Sequence, residues 1–207
     1  MRERGAPAGR LRPPSEPPAL TISSTIGILG GTFDPAHNAH LAIAGAALRA
    51  LGLQQVLWMP TGAPPYRPAP VAAAAHRTAM LKLAVAGDPR YAVDERELAA
   101  GASGYTFDTL SSLRKDHPGT SFVLLMGADQ YAKRESWHRW ADIEQLCEFA
   151  VFARPGSNID AKARIIPMTP LSISASDIRA RIARGEDVAS MLPPPVLGYI
   201  RERGLYR

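Results

Sequence analysis

The sequence predicts an α/β domain built around a doubly wound parallel sheet, and three observations carry that expectation. From Thr25 onward, short β-rich runs alternate with stretches of helical apolar spacing. Two of the runs, FVLLM at 122–126 and FAVFA at 149–153, are continuously apolar and of strand length, as strands buried on both faces must be. A complete βαβ unit opens the alternation: IGIL at 26–29 as a strand, LAIAGAALRALG at 41–52 as a helix stopped by Gly52, and QVLWM at 55–59 as the next strand.

The remaining elements follow the same logic. A turn-rich loop, PTGAPPYRPAP at 60–70, leads to a helix near 76–86, and residues 91–98 alternate like a strand. A helix is expected over 106–116. SASDIRARIARG at 174–185 and PPVLGYIRERG at 194–204 read as helices punctuated by glycine. There is no internal repeat and no second domain. The chain has 207 residues, 46% of them hydrophobic, which is enough for one core without a metal or disulfide staple. Residues 1–24, rich in Pro, Arg, Ala and Gly without periodicity, are expected to form a disordered leader, and residues 25–207 the domain.

Composition narrows the function classes. The single cysteine, Cys147, excludes an intramolecular disulfide and a multi-cysteine zinc site, fits a reducing cytoplasm, and is expected to be a small buried apolar residue. No apolar run reaches the ~18 residues of a membrane-spanning helix, so no membrane partner is expected. The net charge of +5 suits either a nucleic-acid surface or a site for a highly charged small molecule. Much of that excess lies in Arg2, Arg4, Arg10 and Arg12 of the leader, and no basic block interleaved with aromatics follows, so a nucleic-acid partner is not expected. A homo-oligomer stays open.

In an open α/β sheet, ligands bind beyond the carboxyl ends of the strands, which directs attention to the loop after the first strand, GGTFDPAHNAH at 30–40. Gly30 and Gly31 allow close approach of backbone to a phosphate, and the following helix offers free N–H groups and its positive end. Asp34 and Pro35 suit a helix entrance, as cap and first residue. His37 and His40, three apart at a helix start, share one face and can donate two N–H bonds to one group. Neither G-x-G-x-x-G nor G-K-[ST] is present, and two histidines alone leave a zinc site short of ligands. A turn that merely contains two histidines is the bland alternative.

The segment at 30–40 resembles the GG[ST]FDPxHxGH signature of bacterial nicotinate-mononucleotide adenylyltransferases, within the H-x-G-H nucleotidyltransferase superfamily, with Ala39 in place of the usual glycine. ISASDIR at 173–179 resembles the second signature, ISSTxIR, with Ala175 for Ser and Ser176 for Thr. The resemblance extends over about 25–207 and implies a Rossmann-like fold, with AMP transferred from ATP to nicotinate mononucleotide to give deamido-NAD and pyrophosphate. It implies catalytic roles for His37, His40 and Arg179, and ATP contacts from Gly30, Gly31, Thr32, Phe33, His40, Asp129 of GADQ, Ser174, Ser176, Ile178 and Arg179. It implies nicotinate mononucleotide contacts from Arg67 of APPYRP, Tyr105 and Thr106 of SGYTFDTL, Trp137 and His138 of ESWHRW, and Arg154 of RPG. Mg2+ is implied along with ATP, with no protein ligand evident. The C-terminal YIRERGLYR resembles the family's ending and reads as structural. Other superfamily members, acting on nicotinamide mononucleotide or pantetheine phosphate, and a non-catalytic nucleotide-binding module are the competing expectations.

Overall fold

The computed structural model describes residues 24–62, 69–153, 159–169 and 171–207. Six strands form one all-parallel sheet: β1 (Thr25–Gly31), β2 (Gln55–Pro60), β3 (Tyr91–Val93), β4 (Ser121–Gly127), β5 (Glu148–Ala153) and β6 (Ala163–Pro167). Their spatial order, β3-β2-β1-β4-β5-β6, reverses direction between β1 and β4, which is the doubly wound arrangement that leaves a crevice at the carboxyl ends of those two strands.

Strict alternation along the strands explains why both faces are covered. Leu29, Val56, Trp58, Val123 and Leu125 point to one side, into a cluster closed by α1 (Asn38–Leu51) and α2 (Ala74–Val85). Ile28, Leu57, Met59, Phe122 and Leu124 point to the other, against Leu110 and Leu113 of α3 (Thr106–Asp116) and Ile143 of α5 (Trp140–Leu146). Between β4 and α5 lies the short α4 (Ala128–Tyr131). A third cluster joins α2 to α6 (Ala175–Ala183) and α7 (Pro194–Arg203) through Met80, Ile178, Val196 and Ile200. This last packing carries the C-terminal helices back to the loop after β1.

Three local expectations are corrected. The strand expected over 91–98 stops at Val93, and residues Arg96–Leu98 form a 3-10 turn instead. Its alternation was real, but only three residues pair with β2, and the chain then bends as Asp94 accepts from the Arg96 backbone and guanidinium. Strand β6 was not expected, because as the sheet's edge it keeps Ile165 46% exposed and lacks the apolar run of β4 and β5. Cys147 is half-buried rather than buried; its thiol donates to the Ile143 carbonyl, and desolvation raises its pKa to about 12. No helix of the described residues is long and apolar enough to cross a membrane.

Candidate active site

A cavity of about 670 Å³ opens at the reversal point of the sheet. Its floor is the carboxyl ends of β1 (Ile28 to Gly31) and β4 (Leu124 to Gly127). One wall is His40 and Ile43 of α1; another is Tyr105, Thr106 and Thr109 at the start of α3; a third is Gln130, Lys133, Ser136, Trp137 and His138 after β4. The volume lies within the range of small-molecule and cofactor sites.

The signature loop is held by its own hydrogen bonds. Helix α1 begins at Asn38, with His37 as its N-cap in an extended conformation. Asp34 is therefore not the cap expected from sequence. Its carboxylate is buried and accepts from Val71 N at 2.7 Å and Ala72 N at 3.2 Å, tying the loop after β1 to the entrance of α2. Phe33 takes a left-handed φ of 49° and buries its ring under His40, with centroids 5.0 Å apart. Such a backbone is uncommon for a residue with a β-carbon and is secured here by packing.

His37 and His40 stack at 3.7 Å with their planes 19° apart. The His37 amide donates to Nδ1 of His40 at 3.3 Å, so the neutral His40 ring carries its proton on Nε2. Burial lowers the pKa of His37 to about 4. Burial, and then the neighbouring His37, lower that of His40 to about 3. Both rings are thus neutral hydrogen-bonding groups at physiological pH, not cations.

Gly30, Gly31, His40, Tyr105, Thr106, Trp137 and His138 line the one cavity, as a shared ligand site requires. Tyr105 packs its ring on His138 with centroids 4.4 Å apart, and Trp137 meets Trp140 edge-on at 6.2 Å. His37 is 6% exposed and sits against His40 rather than on the cavity wall. Thr32 turns its carbonyl onto Arg77, and the Phe33 ring is core. Asp129 is exposed in the first turn of α4, beside the lining residues Gly127 and Gln130. Ser174 caps α6 by accepting from Asp177 N at 3.2 Å, and its hydroxyl lies 3.2 Å from that of Ser176. The Ile178 side chain is core, which leaves only its backbone for a ligand. Arg179 donates from Nη1 to the Asp34 carbonyl at 2.7 Å, bringing the second signature onto the first across 145 residues. Arg67 and Arg154 lie outside the described residues. Ala39 is buried and is not among the residues lining the cavity.

Sequence reasoning missed four participants. Arg77, 2% exposed, donates from Nη1 to the Thr32 carbonyl at 2.6 Å; burial depresses its pKa, and nearby Asp34 opposes that shift. Tyr206 donates its hydroxyl to Asp34 Oδ1 at 2.6 Å. Lys133 is the one Lys or Arg among the described lining residues. Its neighbours Arg134 and Arg139 are taken up by Asp160 and Asp142. Glu97 is the one carboxylate on the described wall, accepting from the Thr109 hydroxyl at 2.8 Å.

Residues 28–181 match the Cytidylyltransferase-like family. The probable nicotinate-nucleotide adenylyltransferase of Laribacter hongkongensis is 42% identical over 207 aligned residues, covering 88% of this chain and 94% of that one. The chain belongs to the nicotinate-nucleotide adenylyltransferase family. A second family member, the probable enzyme of Bordetella petrii, is 43% identical over 88% of this chain and 98% of its own. The fold is that of the Plasmodium falciparum nicotinic acid mononucleotide adenylyltransferase complexed with NaAD, at a TM-score of 0.75 and 20% identity, covering 88% of this chain and 97% of that one. Six parallel strands in one sheet therefore bear out the Rossmann-like expectation, and the family bears out the signature reading.

Proposed function

We propose that the protein transfers AMP from ATP to nicotinate mononucleotide, forming deamido-NAD and pyrophosphate in NAD biosynthesis. The observation that carries this reading is the neutral His37–His40 pair, with His40 on the wall of a cavity that the pyridine-side residues Tyr105, Thr106 and Trp137 also line. The acceptor's 5′-phosphate oxygen attacks the α-phosphorus of ATP, and the bond from that phosphorus to the bridging oxygen breaks, releasing pyrophosphate. A phosphate monoester has its second pKa near 6, so the nucleophile is already ionised at neutral pH and no general base is required.

The residues' task is then to hold two polyanions in line and to stabilise developing charge. We assign His40 Nε2–H the direct phosphate contact and His37 the second donor of the stacked pair. Arg179 and the hydroxyls of Ser174 and Ser176 meet the triphosphate from the start of α6, with Thr32, Phe33 and Ile178 contributing backbone. Asp129 takes the ribose of ATP. Trp137 stacks on the pyridine ring, with Tyr105, Thr106 and His138 around its carboxylate and Arg67 and Arg154 toward the acceptor's phosphate. Among the described residues no three His, Cys, Asp or Glu side chains converge into a metal cage. Magnesium would enter with ATP as the MgATP substrate and would supply charge neutralisation on its phosphates. We place the activity in residues 25–207 and in the cytoplasm.

The test is a parallel assay of pyrophosphate release with nicotinate mononucleotide, nicotinamide mononucleotide and phosphopantetheine as acceptors. Preference for the nicotinate acceptor is expected, and His40→Ala is expected to lower kcat by about 100- to 1000-fold, as loss of a preorganised donor does. A variant with near wild-type turnover would remove His40 from the mechanism.

A further inference from the structure

Asp34 stands three residues before His37, and its carboxylate, 3% exposed, is where separate parts of the chain meet. Val71 N and Ala72 N donate to its two oxygens from the entrance of α2. Arg179 donates to its backbone carbonyl from α6, with the same Nη1 3.9 Å from Oδ2. Arg77 grips the loop two residues earlier, at the Thr32 carbonyl. Tyr206, at the end of the chain, supplies the one side-chain hydrogen bond to this carboxylate among the described residues, at 2.6 Å.

Two features separate this contact from ordinary tail packing. Tyr206 reaches Asp34 from a left-handed backbone conformation, φ 65°, two residues after the left-handed helix stop at Gly204. A residue with a β-carbon keeps such a conformation where its surroundings fix it. Moreover, the hydroxyl is spent on a charged group, and hydrogen bonds to charged partners are the stronger ones. Burial and the adjacent carboxylate both raise its pKa, so it stays a donor.

We propose that Tyr206 is a positioning residue for the phosphate-binding loop. Its hydroxyl fixes the Asp34 side chain; the Asp34 carbonyl fixes Arg179; and the same backbone leads directly into His37 and His40. The terminal residues that read as structural therefore set the geometry of AMP transfer. This inference rests on the reading of the loop as the ATP phosphate site.

Tyr206→Phe removes only the hydroxyl, and Leu205→Ala removes packing of the same tail against the third cluster. Both are measured for melting temperature, for KM and kcat with each substrate, and for MgATP affinity by calorimetry without acceptor. Tyr206→Phe is expected to melt several degrees below the wild type, as loss of one hydrogen bond to a buried carboxylate does, and to lose about tenfold in kcat/KM for ATP and in MgATP affinity, with the KM for nicotinate mononucleotide little changed. Leu205→Ala is expected to melt earlier with kcat/KM for ATP retained. Wild-type ATP parameters in Tyr206→Phe, or losses in both substrates that simply track melting temperature, would overturn the proposal. Should the wild type bind MgATP but use no pyridine acceptor, the acceptor reading fails while weakened MgATP binding by Tyr206→Phe still supports the positioning role.

Discussion

Lowering the pH should destabilise this protein through one pair of side chains. His37 titrates at about 4 and His40 at about 3 in the folded chain, against 6.5 when free. As the pH falls below about 6.5, the unfolded chain takes up two protons that the folded chain refuses, so the unfolded state binds more protons and stability falls with pH. The loss is absent above about 6.5, grows through the window below it, and stops growing once the pH passes the folded values near 4 and 3. At pH 5 each imidazole is about 1.5 units below its unfolded pKa, which at about 1.4 kcal/mol per unit amounts to ~2 kcal/mol each and ~4 kcal/mol for the pair. Urea unfolding at pH 7.5 and 5.0 measures it, with the His37→Asn/His40→Asn double variant as the reference that cancels every other titrating group. The wild type should lose ~4 kcal/mol more than the variant over that interval. Equal losses would show that the folded imidazoles protonate normally, and the account of two neutral donors would fail.

Other outcomes follow from the same geometry. Because His40 stays neutral to about pH 3, the acid limb of kcat/KM should reflect the acceptor's phosphate near pH 6 rather than an imidazole, and a limb that moves in His40→Gln would contradict this. Arg77→Met leaves the Thr32 carbonyl and the buried Asp34 carboxylate without the guanidinium beside them; a loss of about 3–5 kcal/mol in urea unfolding is expected, and a loss under 1 kcal/mol would dismiss Arg77 as an anchor. Lys133 is the cavity's one described Lys or Arg, so Lys133→Met should cut kcat/KM about tenfold for nicotinate mononucleotide and spare the amide analogue, as loss of one charge-assisted contact would. Equal effects on both acceptors would assign the lysine elsewhere.

What the sequence displays most clearly is whatever depends on local pattern. Strands β4 and β5 were legible because burial on both faces forces unbroken apolar runs, and α1 because Ala44, Ala47 and Leu48 repeat at helical spacing before a left-handed Gly52. His37 and His40 were legible because a short loop places them together. Edge strand β6 was hidden because only Ala163 and Ile166 are buried, a pattern too sparse to stand out. Asp34 looked like a cap because Asp-Pro commonly precedes a helix; its partners, Val71, Ala72 and Tyr206, lie 37, 38 and 172 residues away. Arg77 occupies a helix position that would ordinarily face water, and only the packing of α2 over the loop shows its guanidinium enclosed. Lys133 becomes a wall residue only once the sheet order brings β4 beside β1, and Glu97 only once β3 pairs with β2 and the chain turns after it. Local pattern singles out the loop after β1, and tertiary contact shows what holds it.

The central claim is that this cavity transfers AMP to a pyridine mononucleotide. Phosphorus NMR of the purified protein with MgATP and nicotinate mononucleotide tests it most directly, since each phosphate product has its own resonance. Pyrophosphate and a dinucleotide signal should grow in equal amounts as ATP and acceptor disappear. Release of inorganic phosphate with ADP, or an unchanged spectrum, would contradict the account.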